Sequence, residues 1–286
     1  MRVGYLGPGR STFGFEAAER FFKGEGDVEF VSFSSHTDVC RAAGRGDVDF
    51  GVMGVENVIE GMVTESIYAI DKLSRAHGLK ISGEVEVPIK LFLFRKQNDG
   101  SAPTKIYAQP VAQGQCSQKL AAFKKANNDI PIESVASNSK AAEMASKDPS
   151  CVAISTAKAE QEYELVRLDP ESITNNTNNF TRFWIVGTKR AKSTENDKTC
   201  LLINLDHPKP GGLVKALAPF AERGINLLLC TPIPIPGRKW EYTFLVEFAG
   251  SYSEQRMEDA YDQLCASGIS MDAPLVLGSY PAGTTK

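Results

Sequence analysis

The 286-residue chain is poor in the residues from which metal sites, disulfide frameworks and histidine-centred active sites are built. It has three histidines, His36, His77 and His207, and none has a serine or carboxylate partner at motif spacing. His77 precedes a glycine and His207 a proline, so both read as exposed turn residues, while His36 reads as a helix-capping residue. A Ser-His-Asp mechanism is unsupported. Six cysteines, at 40, 116, 151, 200, 230 and 265, include no CxxC pair, which fits neither a zinc site nor a disulfide framework. They are expected to be free thiols, with Cys40, Cys116, Cys151 and Cys265 buried, in a reducing and therefore cytoplasmic compartment. Lysine and arginine (32) do not outnumber aspartate and glutamate (35), so no nucleic-acid partner is expected. No apolar run approaches the roughly 20 residues of a membrane span, and Met1 to Gly9 lacks the apolar run of a secretory leader. The Tyr5-Leu6-Gly7-Pro8-Gly9 turn is a weak phosphate loop, because Pro8 removes a donor.

What is present is an alternation of apolar periods. Residues 2–6 read as a strand ending in Gly-Pro-Gly, and 12–22 as a helix with Phe13, Ala17, Ala18 and Phe21 on one face. Residues 48–55 read as a buried strand and 61–73 as a helix presenting Val63, Ile67, Ile70 and Leu73. Residues 84–94 alternate at period two through Val85, Val87, Ile89, Leu91 and Leu93. Then come a strand at 105–107, helices at about 115–126 and 140–146, and strands at 151–155 and 180–188. Such alternation predicts α/β lobes with mainly parallel sheets, whose ligands bind near the carboxyl ends of strands. Lys189 to Lys198 is charged and polar with no apolar anchor, and is the best linker candidate. Beyond it the order strand 199–205, helix 212–222, strands 225–231 and 239–248, helix 253–266, strand 274–278 is βαββαβ, a ferredoxin-like arrangement.

Loops after several of these strands carry small polar residues: Ser11-Thr12, Glu56-Asn57, Gln113 to Gln115, Ser137 to Ser139 and Thr181-Arg182. Hydroxyls, amides and one arginine suit an anionic small molecule, since guanidinium offers a planar fork to a carboxylate. No His/Cys/Asp cluster has metal-ligand spacing, and no metal is expected. The same residue types also serve as helix caps and turns, and that reading stands beside the first for each loop.

Taken together, these segments resemble the prephenate dehydratases. YLGPGRSTFGFEAA is similar to the family's opening YLGPxGTFS segment, and DVDFGVMGVENVIEGMV to its DxGvvPiENSxxGxV segment. YAQPVAQGQC resembles HPQALaQC, and NNFTRFWIVG the N-xTRFxvig signature. GGLVKALAPFAERGINLLLC looks like the start of an ACT domain, and LVLGSYP like the usual close. The resemblance runs in order over essentially the whole chain. It implies an α/β, two-lobed, periplasmic-binding-protein-like catalytic domain over 1–188, with lobes of about 1–82 plus 172–188 and 83–171. A ferredoxin-like ACT domain over 199–286 would follow. The implied reaction converts prephenate to phenylpyruvate, shedding carbon dioxide and water, in phenylalanine biosynthesis. No cofactor is implied, because aromatisation drives the reaction.

Carried onto this chain, Thr181 would donate to the leaving hydroxyl, and Arg182 would clamp a carboxylate or brace the loop. Thr12 and Asn57 would contact substrate polar groups, and Glu56 would orient Asn57 or Arg182. Ser11, Gln115, Ser137, Asn138 and Phe183 would complete substrate binding. Gly212, Leu213, Val214, Asn226 and Leu227 match an effector site for L-phenylalanine, and a homodimer or tetramer is implied.

The chain departs from that pattern at Val58, where the family has serine, and at Gln109, where it has histidine. Gly14 replaces a serine, and Gly54 a proline, which would loosen its loop. The family's second effector loop, with its Glu and Arg, is Cys230 to Pro236 here, a proline-rich apolar hairpin. Feedback by phenylalanine is therefore expected to be weak, altered or absent. Two other readings remain: a non-aromatising prephenate decarboxylase, a branch that lacks the ACT domain, and a catalytically inactive small-molecule sensor.

Overall fold

The computed structural model describes residues 1–97, 100–206 and 210–283. His207 lies outside the described residues. In chain order the first elements are β1 (Arg2–Leu6), α1 (Phe13–Phe21), β2 (Glu29–Phe33), α2 (His36–Arg45), β3 (Phe50–Asn57), β4 (Gly61–Met62), α3 (Thr64–His77), β5 (Lys80–Pro88) and β6 (Phe92–Arg95). There follow β7 (Lys105–Ala108), α4 (Pro110–Gln115), α5 (Ser117–Ala126), β8 (Ile132–Ser134), α6 (Asn138–Lys147), β9 (Cys151–Ser155), α7 (Ala159–Glu162), β10 (Val166–Arg167) and β11 (Phe180–Gly187). The last are β12 (Asp197–Asn204), α8 (Gly212–Glu222), β13 (Leu227–Pro234), β14 (Tyr242–Ala249), α9 (Gln255–Ala266) and β15 (Leu275–Pro281).

Three sheets result: β2-β1-β3-β11-β5 with β4 paired to β3, then β10-β6-β9-β7-β8, then β13-β14-β12-β15. By its contacts the chain divides into two compact units. One comprises Met1–Val39, Val52–Val63 and Glu86–Phe183, the other Cys40–Gly51, Thr64–Val85 and Trp184–Lys286.

In the first unit β1 runs parallel to β2, pairing Arg2 with Glu29 through Leu6 with Phe33. β7 is parallel to both β8 and β9, whereas β6 is antiparallel to β9 and β10. Leu91, Leu93, Ile106, Val152 and Ile154 bury against Ala112, Cys116 and Leu120. Each fully buried aliphatic of this size contributes roughly 1.5–3 kcal/mol.

The second unit contains the expected βαββαβ order as an antiparallel sheet carrying α8 and α9. Its core joins Leu201, Ile203, Val246 and Leu264 with Phe220 stacked on Phe248 at 4.0 Å between centroids.

Several local expectations need correction. The 84–94 run is two strands of different sheets, β5 and β6: Pro88 cannot donate to a ladder, so β5 ends there, and β6 is buried on both faces. The helix expected from 61 begins at Thr64, because Gly61 and Met62 fold back on Asn57 and Glu56 as β4. β2 was not anticipated. Ser35, not His36, caps α2: its Oγ accepts from Asp38 N at 3.0 Å and donates to Asp38 Oδ2 at 2.7 Å. The charged linker ends early, since Asp197 and Lys198 open β12 and are buried. Lys198 tolerates burial because its Nζ lies 2.7 Å from Glu84 and 3.6 Å from Glu247. Cys230 to Pro234 belongs to β13 rather than to a loop, and the prolines fit there because β13 is an edge strand. All six thiols are free, but Cys265 is exposed on the outer face of α9. Among the described residues no helix is long and apolar enough to cross a membrane.

Candidate active site

The first unit holds a cavity of about 910 Å³. Its rim is set by strand ends: Leu6 and Gly7 leave β1, Ser32 and Phe33 close β2, Gln109 follows β7, and Thr181 and Phe183 come from β11. This is where open α/β sheets place their ligands, because the helices that follow the strands point their N-termini there.

Two helices do so here. Thr12 caps α1, its Oγ1 accepting from Phe15 N at 3.3 Å, and Ser137 caps α6, accepting from Lys140 N at 3.0 Å. Both caps line the cavity, so each is cap and wall at once. Helix N-termini carry a partial positive charge and favour anions. Lys140 also lines the cavity, its Nζ paired with Glu143 at 2.8 Å, and no aspartate or glutamate lines the cavity among the described residues. Hydrogen bonds from Lys140 and then Lys147 hold the Glu143 carboxyl down at about 2, outside the cavity. Asn138 is also in the wall; its Oδ1 is buried and has no protein partner. Gly14 is required by backbone proximity, as a Cβ there would stand 2.8 Å from the Leu6 carbonyl oxygen.

Behind the wall sits Asn57, 7% exposed. Its Oδ1 accepts from Ile59 N and Glu60 N, both at 2.9 Å, and so builds the β3–β4 turn. Those two donors fix the amide orientation. The Nδ2 group therefore faces Asn179 Oδ1 at 2.8 Å, the Phe180 carbonyl at 3.1 Å and Thr181 Oγ1 at 2.9 Å. A hydroxyl that accepts from a fixed N–H keeps its own hydrogen for another acceptor. The Thr181 O–H is thus left to donate into the cavity.

Of the residues expected from sequence, Thr12, Ser137, Asn138, Thr181 and Phe183 meet at this cavity. Others do not. Alternation along β11 turns Arg182 away from Thr181 and Phe183, into an ion pair with Glu56 at 3.0 Å. That geometry fits a brace for the loop rather than a clamp on a ligand. Ser11 is fully buried and donates to Glu162 Oε2 at 2.5 Å, while Glu162 Oε1 accepts from Arg10 N at 2.7 Å. Ser11 therefore anchors the Gly9–Thr12 loop and does not reach the cavity. Gln115 lies near Glu60, at 3.4 Å, outside the wall. Val58 is 64% exposed and not in the wall, so its missing hydroxyl takes nothing from the cavity. Gly54 sits inside β3, not a loop; a Cβ there would meet Phe183 at 3.5 Å and His36 at 3.7 Å. Gln109 does line the cavity.

Sequence reasoning missed His36, Ser32, Ser34 and Phe33 in the wall. The signal available was their place at the end of a strand or just beyond it, and that strand was not recognised. His36 is 7% exposed, at the first turn of α2. Among the expected effector residues of the second unit, Leu213 packs against the core, Val214 and Leu227 are exposed, and Asn226 gives its carbonyl to Ala249 N. Gly212 opens α8 after Gly211, whose φ of 76° needs glycine. No group able to hold a metal exists among the described residues.

A family model described as prephenate dehydratase matches residues 3–191. A bifunctional chorismate mutase/prephenate dehydratase of Aquifex aeolicus is 33% identical over 288 residues, covering 98% of this chain and 74% of that protein. A prephenate dehydratase of Lactococcus lactis subsp. cremoris is 29% identical, with 98% and 97% covered. The crystal structure of a prephenate dehydratase in complex with L-Phe from Arthrobacter aurescens superposes with a TM-score of 0.84 at 27% identity, over 100% of this chain and 92% of that one. The chain belongs to the prephenate dehydratase family.

Proposed function

We propose that this protein is a lyase that converts prephenate to phenylpyruvate in the cavity of the first unit. One observation carries the reading: an acid-free cavity with two capped helix N-termini and Lys140 in its wall, into which the Asn57-oriented Thr181 hydroxyl donates. Prephenate is a dianion, and such a wall compensates two carboxylates without a metal.

In the proposed step the electron pair of the ring–carboxylate bond moves into the ring as carbon dioxide leaves. The ring C–O bond breaks, and the hydroxyl departs as hydroxide that is protonated to water. Thr181 donates a positioned hydrogen bond to that oxygen; an alcohol is too weak an acid to transfer its proton fully. Asn57 is a positioning residue, acting through Thr181. Ser137 and Lys140 hold the carboxylates; Thr12, whose hydroxyl donates to the Gly9 carbonyl at 3.2 Å, keeps the α1 N-terminus in the wall, and Asn138 Oδ1 accepts from the ring hydroxyl. Phe183 supports the ring, while Arg182 and Glu56 brace the β3–β11 edge from the far side. Ser11 and Gln115 act outside the cavity.

The finer organisation is proposed on the same footing. Residues 1–188 form the catalytic domain, with lobes of about 1–82 plus 172–188 and 83–171, and 199–286 form an ACT domain. Gly212, Leu213, Val214, Asn226 and Leu227 border an effector site in a homodimer or tetramer. L-phenylalanine regulates weakly there, since β13 offers Pro232 and Pro234 instead of charged groups. The four buried thiols suit a reducing, cytoplasmic setting.

Incubation of the purified protein with prephenate, followed by absorbance in alkali, tests the function. Phenylpyruvate accumulating in proportion to enzyme supports it. A non-aromatic decarboxylated product would indicate the decarboxylase reading, and unchanged prephenate the sensor.

A further inference from the structure

The second unit contains a separate cavity of about 470 Å³. It is walled by the start of β5 (Lys80, Ile81), by Arg190, by Tyr252 and Tyr261 around α9, and by the start of β15. None of the effector residues Gly212, Leu213, Val214, Asn226 and Leu227 touches it. The closeness of β15 to β5 that shapes its floor depends on Gly278, where any Cβ would collide with the Ile81 carbonyl oxygen. The volume is in the usual range for small-molecule sites, roughly 300–1,000 Å³.

Its electrostatics are unbalanced. Lys80 and Arg190 face one carboxylate, Glu258, and the other wall residues are neutral, which leaves one excess positive charge. Lys80 Nζ donates to the Val276 carbonyl at 2.6 Å, and neither cation has an ion-pair partner among the described residues. Burial first, and Arg190 second, pull the Lys80 pKa below its ordinary value. Two like charges held beside one cavity repel each other, and an anion between them would relieve that repulsion.

The rest of the wall sets four serines, Ser193, Ser251, Ser253 and Ser279, beside an apolar and aromatic side. Tyr252 and Tyr261 make an edge-to-face pair at 5.4 Å, and Tyr261 is fixed by donating to the Pro274 carbonyl at 2.7 Å. Ile81, Leu275 and Val276 complete this side. Aromatic edges and faces so fixed receive a planar ring at little entropic cost.

We infer that this cavity binds a small organic monoanion, a carboxylate on an aromatic body, with its carboxylate at Lys80 and Arg190 and its ring along Tyr252 and Tyr261. Arg190 lies in the segment that leads into β12, so occupancy would tie that segment to β5 and α9. The site is independent of the reaction proposed for the first unit.

Isothermal titration of the full chain with 3-phenylpropionate, 3-phenylpropionamide and inorganic phosphate tests this. The wild type should bind the carboxylate at one saturable site, at least about tenfold tighter than the neutral amide or phosphate. Arg190 is exposed, so Arg190→Ala should keep its melting temperature while weakening carboxylate binding about tenfold to a hundredfold, the loss expected for a charge-assisted hydrogen bond. Tyr261→Leu should weaken the carboxylate and leave phosphate unchanged. Equal affinity in wild type and Arg190→Ala, including tight binding confined to the first unit, would overturn the inference, as would an amide or phosphate that binds as well as the carboxylate.

Discussion

Thr181→Val removes one hydroxyl and little else. Valine keeps the β-branch and the volume, so β11 should retain its conformation and Phe183 its place in the wall. Asn57 Nδ2 has two hydrogens and keeps two acceptors after the change, Asn179 Oδ1 at 2.8 Å and the Phe180 carbonyl at 3.1 Å. No buried donor is orphaned, and the loss of stability should stay below about 1.5 kcal/mol. If the Thr181 hydrogen bond forms on the departing oxygen, deleting it removes a donor that acts in the transition state. Such losses lower kcat by about a hundredfold to a thousandfold. KM should change little, because the carboxylate-holding groups remain. Steady-state kinetics with prephenate, beside thermal melts of both proteins, provide the assay. Thr181→Ser, which restores a hydroxyl in reach of Asn57, should recover much of the rate. A valine variant within about threefold of the wild-type kcat, or a serine variant no better than valine, would refute the role assigned to Thr181.

Asn57→Asp should lower kcat about as far as Thr181→Val with modest change in KM, because a carboxylate oxygen facing Thr181 Oγ1 turns the hydroxyl inward; unchanged kcat would contradict the orientation derived for that hydroxyl. Glu162→Ala frees both Arg10 N and Ser11 Oγ, so the loop bearing Thr12 should loosen: stability falls by about 1–3 kcal/mol and KM rises more than kcat falls, as kinetics and melts would reveal. Thiol titration of the native protein should label Cys265 at once and spare Cys40, Cys116, Cys151 and Cys200 until unfolding. Burial pushes the Cys40 and Cys116 thiols up to about 12, so the folded state holds their protons more tightly than the unfolded chain. Stability from this source is complete below the ordinary thiol value and should drain away as pH rises from about 9 towards 12, a loss that pH-dependent melts of Cys40→Ala and Cys116→Ala should blunt.

The parts of the site legible in the sequence are those in which local chemistry and tertiary placement coincide. Thr12 and Ser137 are both helix caps and walls, and a cap at the end of a strand-helix loop is readable from residue type alone. Thr181 and Phe183 share a strand face, so finding one locates the other. What could not be read was which side of a chain a neighbour takes. Ser11 adjoins Thr12, and Arg182 stands between Thr181 and Phe183, yet both point away from the cavity because Glu162 and Glu56 await them from residues distant in sequence. The half of the wall that includes Phe33 and His36 was missed for another reason: Glu29 to Phe33 is short and half exposed, with too weak an apolar alternation to announce β2. The same holds for the ferredoxin-like portion. Its element order was plain from apolar spacing, but the edge position of β13, which makes two prolines admissible in a strand, depends on pairing with β14 alone.

Aromatisation of prephenate requires that both its ring carboxylate and its ring hydroxyl be expelled. Carbon NMR of the reaction with prephenate labelled at the ring carboxylate tests it most directly. The label should appear as carbon dioxide and bicarbonate, matched one for one by the aromatic signals of phenylpyruvate. Label retained in prephenate, or released without aromatic signals, would contradict it.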